Sequence, residues 1–431
     1  MSPEGRPGCG AGKGRFTLDE VQNNMRWKRL SFGWSAVATI VLAITGLVAR
    51  DPVVDALTGG PVADVRMVFT FSYLAFAPAL AAFDHLSFLT DHQHIAVLVS
   101  LILLFISWRV GRRVFRHTGS PWVLRECLIA SLSLIGLIAF YGFGVLGVRP
   151  IASLVSEDPD LVIVDFHSHT EISHDGRPGF DVSARRAWHR GAGFDLAYLT
   201  DHLSMEATVE ASAANPALAG EGLSFLPGRE IRFKNQHIVV LGTEDPTTGI
   251  ADDAPWPVLI QTIPNDLSRV PVPEADGNRG GVYAIELVDG DPRGLRQSGE
   301  DRDMLLAIAD SLNLALVAGS NHHGWGRAAA AWTLFRVPGW RTQSPTEVGH
   351  EIEASIRRDR AEAGQVVERP RLAPWPGREP LLAELLTLPR LVWHVLTSLT
   401  LPERLAWWAW VLVVAAIVGI RPAAVKDLPS N

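Results

Sequence analysis

The stretch VDFHSHTEISHDG, residues 164–176, sets three histidines (His167, His169, His174) and two aspartates (Asp165, Asp175) close together, directly after the aliphatic run LVIV. Residues two apart in extended chain point to one side, so His167 and His169 can address a single ion. Imidazole is a borderline ligand that suits zinc, manganese or iron, and a carboxylate such as Asp175 or Glu230 adds charge and can bridge two ions. For an isolated HxH, a solvated polar loop is an equal alternative. Against it stand further ionisable groups along the chain: Asp201 with His202, Glu230, His237, and the run SNHHG with Asn321, His322 and His323.

Short apolar runs precede these groups. LVIVD (161–165), DLAYLT (195–200), LSFL (223–226), HIVVLG (237–242), VLIQTI (258–263), VYAIEL (282–287) and LALVAG (314–319) read as seven strands. DVSARRAWHRGAG, with Asp181 as N-cap and a terminal glycine, reads as a helix between the first two, and GEDRDMLLAIADSLN as a helix before the last. Strands alternating with helices predict an α/β domain, and a small barrel fits the count. His167 and His169, Asp201 and His202, Glu230, and SNHHG all fall just past the ends of predicted strands, the face on which barrel enzymes assemble their sites. The clusters are expected to meet in space.

DFHSHTEISHDG resembles the first motif of the PHP superfamily, the polymerase and histidinol phosphatase domains. AGFDLAYLTDH, PGREIRF, HIVVLG and GSNHHG are similar to its later motifs, in order. The resemblance covers about half the chain. It implies a distorted (β/α)7-type PHP barrel with divalent metal bound by His167, His169, His202, Glu230, His237 and His323. Asp175 or the adjacent His174 would supply a further contact, and Asp201 would orient His202 through its other ring nitrogen. Two positions depart from the pattern. Asn321 stands where the last motif has an aspartate, and LIQTIPND, with Ile263 before Pro264, lacks the histidine of a usual Ala-His-Pro. One or two ions are therefore expected.

The resemblance implies hydrolysis of a phosphomonoester or phosphodiester, and a metal-activated water accounts for such chemistry. Arg229, Arg232, Lys234 and Arg327 are candidate phosphate clamps beside the ligands. His322 reads as the acid for the leaving group or as an outer residue. Glu286 reads either as a group that points into the barrel mouth or, as often, as a structural strand-end carboxylate, and His189 reads as a surface residue. Two other readings remain: a degenerate domain that binds metal or ligand and signals to membrane helices, and a non-phosphate metal-dependent hydrolase.

The rest of the chain must place this domain. Its composition is mildly apolar, 47% hydrophobic and 20% charged, with mean hydropathy +0.15. Residues 30–49 carry no charge over the length that crosses a bilayer, and 94–108, 126–148 and 405–420 are further candidate spans. Residues 66–83 are ambiguous because of Pro78. The expected organisation is a membrane region over 1–155 with three or four transmembrane helices, the PHP-like domain over 156–375, inserted between transmembrane helices, and a C-terminal anchor over 376–431. The basic N-terminal tail and the arginine-rich loop RVGRRVFRHTGSPWVLR read as cytoplasmic, which puts the domain outside the cell membrane. The substrate expected there is a phosphorylated small molecule, lipid or polymer. A net charge of −7 disfavours nucleic acid. Two cysteines, Cys9 and Cys127, make neither a disulfide framework nor a thiolate site.

Overall fold

The computed structural model describes residues 18–114, 123–202, 204–233, 235–244, 246, 256–263, 281–297, 299–374 and 385–419. Lys234, Pro264, Cys9 and part of the arginine-rich loop lie outside them.

All seven anticipated runs form strands. In chain order the strands are β1 (Val54–Asp55), β2 (Val65–Val68), β3 (Ser153–Ser156), β4 (Leu161–Asp165), β5 (Leu196–Leu199), β6 (Ser224–Phe233), β7 (Gln236–Leu241), β8 (Leu259–Gln261), β9 (Ala284–Asp289), β10 (Ala315–Gly319), β11 (Ala331–Arg336) and β12 (Gln365–Glu368). Ten make one curled sheet, in the order β1-β12-β11-β4-β5-β6-β7-β8-β9-β10, and β2 pairs with β3. The curl brings β10 back to the first strands: Phe166 N donates to Ala318 O at 3.5 Å, and Ala318 N donates to Thr333 Oγ1 at 2.8 Å.

The register is mixed, so the sheet is barrel-like without a regular run of seven βα units. β4-β5-β6 and β8-β9-β10 are parallel, whereas β6-β7-β8 and β4-β11-β12 are antiparallel. The helix Val182–Ala192 starts where Asp181 Oδ1 accepts from Ala184 N at 2.8 Å, and it stops at Gly193, whose φ of 89° a side chain would strain. β4, β5 and β10 are apolar along most of their length and largely buried, as expected where both faces are covered.

Among the described residues, three helices are long and apolar enough to cross a membrane: Asp91–Gly111, Cys127–Leu146 and Leu401–Val418. Gly33–Leu47 is a shorter apolar stretch of the helix Leu18–Leu47. Residues 66–83 form no single long helix. They enter β2 and then two short helices, Phe71–Ala75 and Ala77–Leu86, broken at Phe76 just before Pro78. That segment packs on the sheet domain through a buried polar network. Asp84 contacts Arg149, accepts from Arg369 Nη1 at 2.8 Å and lies 3.2 Å from the Tyr73 hydroxyl, which also reaches Glu403 Oε1 at 3.0 Å.

Candidate metal centre

β4 ends at Asp165, and the chain continues so that His167 and His169 project together into the mouth of the curled sheet, both fully buried. Their Nε2 atoms are 2.9 Å apart. Glu230 Oε2, from β6, lies 3.2 Å from His167 Nε2 and 3.4 Å from His169 Nε2. β6 and β7 pair antiparallel with Arg232 opposite His237, so Glu230 is diagonal to His237 on the same face. His237 Nδ1 accordingly meets Glu230 Oε1 at 2.7 Å. Past β5, His202 bridges to Glu230 and sets Nδ1 3.3 Å from Oε2. One carboxylate thus gathers four imidazoles.

The last cluster joins from β10. The His323 ring stacks on His169 with centroids 4.4 Å apart, and its Nε2 lies 3.2 Å from Asp175 Oδ2, which is also 3.6 Å from His202 Nε2. His174, three-quarters exposed, sits at the rim, its Nδ1 4.0 Å from Asp175 Oδ1. Asp175 pairs with both His202 and His323, while the His174 ring lies against His202 alone, centroids 4.8 Å apart.

Among the described residues, four groups have ligand atoms close enough to share an ion: His167, His169 and Glu230; His169, His202 and His323; His174, Asp175 and His202; and His167, Glu286 and Asp289. Chemistry fits divalent cations here. Among the described residues, Glu286 Oε2 and Asn321 Oδ1 are buried without hydrogen-bond partners. Burial, reinforced by Glu286, pushes the Asp289 carboxyl well above its ordinary range, against the opposing pull of His167. The two facing histidines differ. Burial alone would lower His167, but Glu286 and Glu230 hold it well above the usual imidazole value, whereas burial pushes His169 well below it.

The tautomer of His169 follows from its surroundings. Ser173 Oγ donates to Asp201 Oδ1 at 2.9 Å, so it accepts from His169 Nδ1 at 2.9 Å and leaves Nε2 with its lone pair toward the centre. Asp201 also accepts from Thr170 N and Thr170 Oγ1, each at 2.7 Å. It therefore steadies His169 through Ser173, and the expected bond to the His202 ring is replaced by one from His202 N to Ser173 Oγ at 3.1 Å.

Four further expectations need correction. His322 is buried in a stack on Trp188, with Nδ1 held by Arg185 Nη1 at 2.8 Å and Nε2 2.5 Å from Trp325 O, so neither nitrogen faces a substrate. Arg229 alternates with Glu230 along β6 and lies on the opposite face, while Arg232 and Arg327 line the cavity. His189 is buried, not on the surface, and its Nε2 meets Asp165 Oδ2 at 2.9 Å. Glu286 is not a remote strand-end carboxylate: its Oε1 lies 2.9 Å from His167 Nδ1. The packing there is tight enough that a Cβ on Gly319 would fall 2.1 Å from that same oxygen.

Asp289 is the residue that the motifs missed. It ends β9, as the loops that carry His167, His202 and His323 follow the ends of β4, β5 and β10, and that regularity is the signal that would have flagged it. Its Oδ2 accepts from Asn321 Nδ2 at 3.1 Å. A carboxylate from the neighbouring strand thus lies beside the neutral amide of the last motif.

The cavity beside the centre holds about 670 Å³ and is lined by His174, Asp175, His202, Glu230, His237 and His323. Arg232, Gln261, Asp289, Asn321 and Arg327 complete its polar wall. No protein-family model matches the chain, and no curated protein does. Among solved structures the chain is similar to PsfC from Pseudomonas syringae PB-5123, at 17% identity over 54% of this chain and 95% of that one, with a TM-score of 0.32. It is also similar to a candidate metal-dependent phosphoesterase from Bifidobacterium adolescentis ATCC 15703 (15% identity, 45% and 96% covered, TM-score 0.28). A third is the lesion-specific endonuclease PfuEndoQ from Pyrococcus furiosus (15%, 46% and 56%, TM-score 0.31), of whose length the chain spans about half. At these values the likenesses assign no activity, and they give no support to setting nucleic acid aside.

Proposed function

We propose that the chain is a membrane-anchored, metal-dependent phosphoesterase that hydrolyses a phosphomonoester or phosphodiester. The observation that carries this reading is Glu230, which meets His167, His169, His202 and His237 within 3.4 Å at the edge of a cavity that also holds two arginines. The proposed ligands are His167, His169, His202, Glu230, His237 and His323, with Asp175, Glu286 and Asp289 adding charge and Asn321 offering its amide oxygen. One or two divalent ions of zinc, manganese or iron, bound there, supply Lewis acidity and a water acidic enough to react near neutral pH. Arg232 and Arg327 bind the phosphoryl oxygens. Asp201 and Ser173 hold the His169 proton on Nδ1, which keeps Nε2 directed at the site.

The test is hydrolysis by the full chain in detergent micelles, loaded with manganese or zinc. p-Nitrophenyl phosphate and bis-p-nitrophenyl phosphate report the ester class, and a DNA oligonucleotide belongs in the same panel. Turnover that a chelator suppresses at least tenfold is expected. Bound metal with no turnover of any ester favours the sensor reading instead, for which the specific observation is the neutral Asn321.

The same proposal places the domain over 156–375 outside the cell, between the membrane region 1–155 and the anchor 376–431. Leu47, Asp91, Leu146 and Leu401, one end of each apolar helix, lie toward the sheet domain. Arg50 N donates to Thr397 O at 2.9 Å, Asp91 pairs with Arg296, and Gly326 N donates to Leu146 O at 3.1 Å. The basic tail and the arginine-rich loop then share the other side, which the positive-inside rule makes cytoplasmic. Protease added to intact cells is expected to cleave the domain; protection until the cells are permeabilised reverses the orientation.

A further inference from the structure

The cavity of the metal centre has one apolar wall, and that wall belongs to a helix long and apolar enough to cross a membrane. Val145 and Leu146 line the cavity together with Trp325. They are the last residues of the apolar segment Cys127–Leu146. The junction is closely built. Gly326 N donates to Leu146 O at 3.1 Å, and a Cβ on Gly326 would fall 1.9 Å from Gly147 O, so glycine is what lets the loop after His323 approach the helix end. The far side of that loop is held by Trp188 Nε1 donating to Arg327 O at 2.9 Å and by Arg327 Nη1 donating to Gly290 O at 2.7 Å.

The 20 residues of this apolar segment, at about 1.5 Å of rise each, match a hydrocarbon layer about 30 Å thick. Leu146 therefore marks the edge of that layer, the depth at which lipid phosphates begin. Leu146 is half exposed and Trp325 is 42% exposed, so this wall offers apolar surface at the headgroup level. A small water-soluble ester would leave it uncovered, whereas an amphiphile covers it without leaving the leaflet.

We infer that the substrate is a phosphate ester carried by a membrane lipid: its phosphate enters among the histidines, Arg232 and Arg327, and its first carbons lie against Val145, Leu146 and Trp325. This rests on the phosphoesterase reading. In the step, the oxygen of water joins phosphorus, one ester P–O bond breaks, and the displaced oxygen departs with a proton as an alcohol; in a monoester that alcohol is the lipid itself, and in a diester it is the better leaving group of the two.

The test varies the tail at constant headgroup. p-Nitrophenyl phosphate and bis-p-nitrophenyl phosphate first fix the ester class. The full chain in one detergent is then given butyl and hexadecyl phosphate, or butyl and hexadecyl p-nitrophenyl phosphate if diesters are the class. A preference for hexadecyl of at least about 100-fold in kcat/KM is expected, and Leu146→Asp should reduce that ratio at least about tenfold. Metal content reports whether the centre of this variant is intact, and Trp325→Ala, outside the helix, is the second variant. Equal rates for the two tails overturn the inference and leave the phosphoesterase reading standing, as does a preference that neither variant alters, which is micelle partitioning. No hydrolysis of either nitrophenyl ester overturns both.

Discussion

Replacing Glu230 by glutamine is expected to lower metal content at least tenfold and hydrolysis on the order of a thousandfold, equivalent to about 4 kcal/mol. The substitution keeps the shape and removes only the charge. Burial alone would raise the Glu230 carboxyl, yet His167, His169 and His237 hold it far below its ordinary range, so it is ionised in the folded chain. Both of its oxygens are committed to ring nitrogens, Oε1 to His237 and Oε2 to His167, His169 and His202. An amide NH2 in place of either oxygen points hydrogens at nitrogen lone pairs that must face an ion. Elemental analysis and the nitrophenyl assays on one preparation read both effects. A glutamine variant that keeps its metal and its rate would remove Glu230 from the centre.

Asp165→Ala is expected to be the most destabilising single change near the site, costing on the order of 3–5 kcal/mol. Asp165 is fully buried. Its Oδ1 accepts from His167 N at 3.2 Å and Ser320 N at 2.8 Å, and its Oδ2 meets His189 Nε2 at 2.9 Å. It thereby ties the first ligand loop to the last one and to the helix Val182–Ala192. Burial would raise its pKa, but His189 and Arg185 hold it below the usual carboxylate range, so a charge is lost together with three partners. Alanine leaves two backbone N–H groups and an imidazole unpaired in the interior. The melting temperature should fall on the order of 10 °C. Asp165→Asn, which can still accept from both backbone groups, should fall by less than half as much. Equal losses for the two variants would mean that the charge, not the backbone pairing, matters.

Much of the centre was legible because strand periodicity and strand ends are local properties. The alternation of β4 placed His167 and His169 on one side, and the rule that reactive groups follow strands located His202, Glu230 and His323. What was not legible depended on partners distant in sequence. His189 reads as a surface residue within its own helix because nothing local announces that Asp165, 24 residues earlier, will meet its ring. His322 and His323 are adjacent and alike in type, yet Arg185 and Trp188 capture the first while the second stacks on His169. Arg229 and Arg232 were separable in principle, since the side-chain period of two excludes Arg229 from the face of Glu230. The fold followed the same division. The seven runs gave seven strands, but β1, β2, β3, β11 and β12 were missed, as was the antiparallel β6-β7-β8 register that brings His237 to Glu230.

The central claim is that these histidines and carboxylates hold metal, and the most direct measurement is elemental analysis of the purified full chain in detergent, before and after incubation with manganese or zinc. The account predicts at least one divalent ion per chain, reduced at least tenfold by Glu230→Gln. A chain that binds no stoichiometric metal under either condition, or that binds it equally with glutamine at 230, contradicts the account.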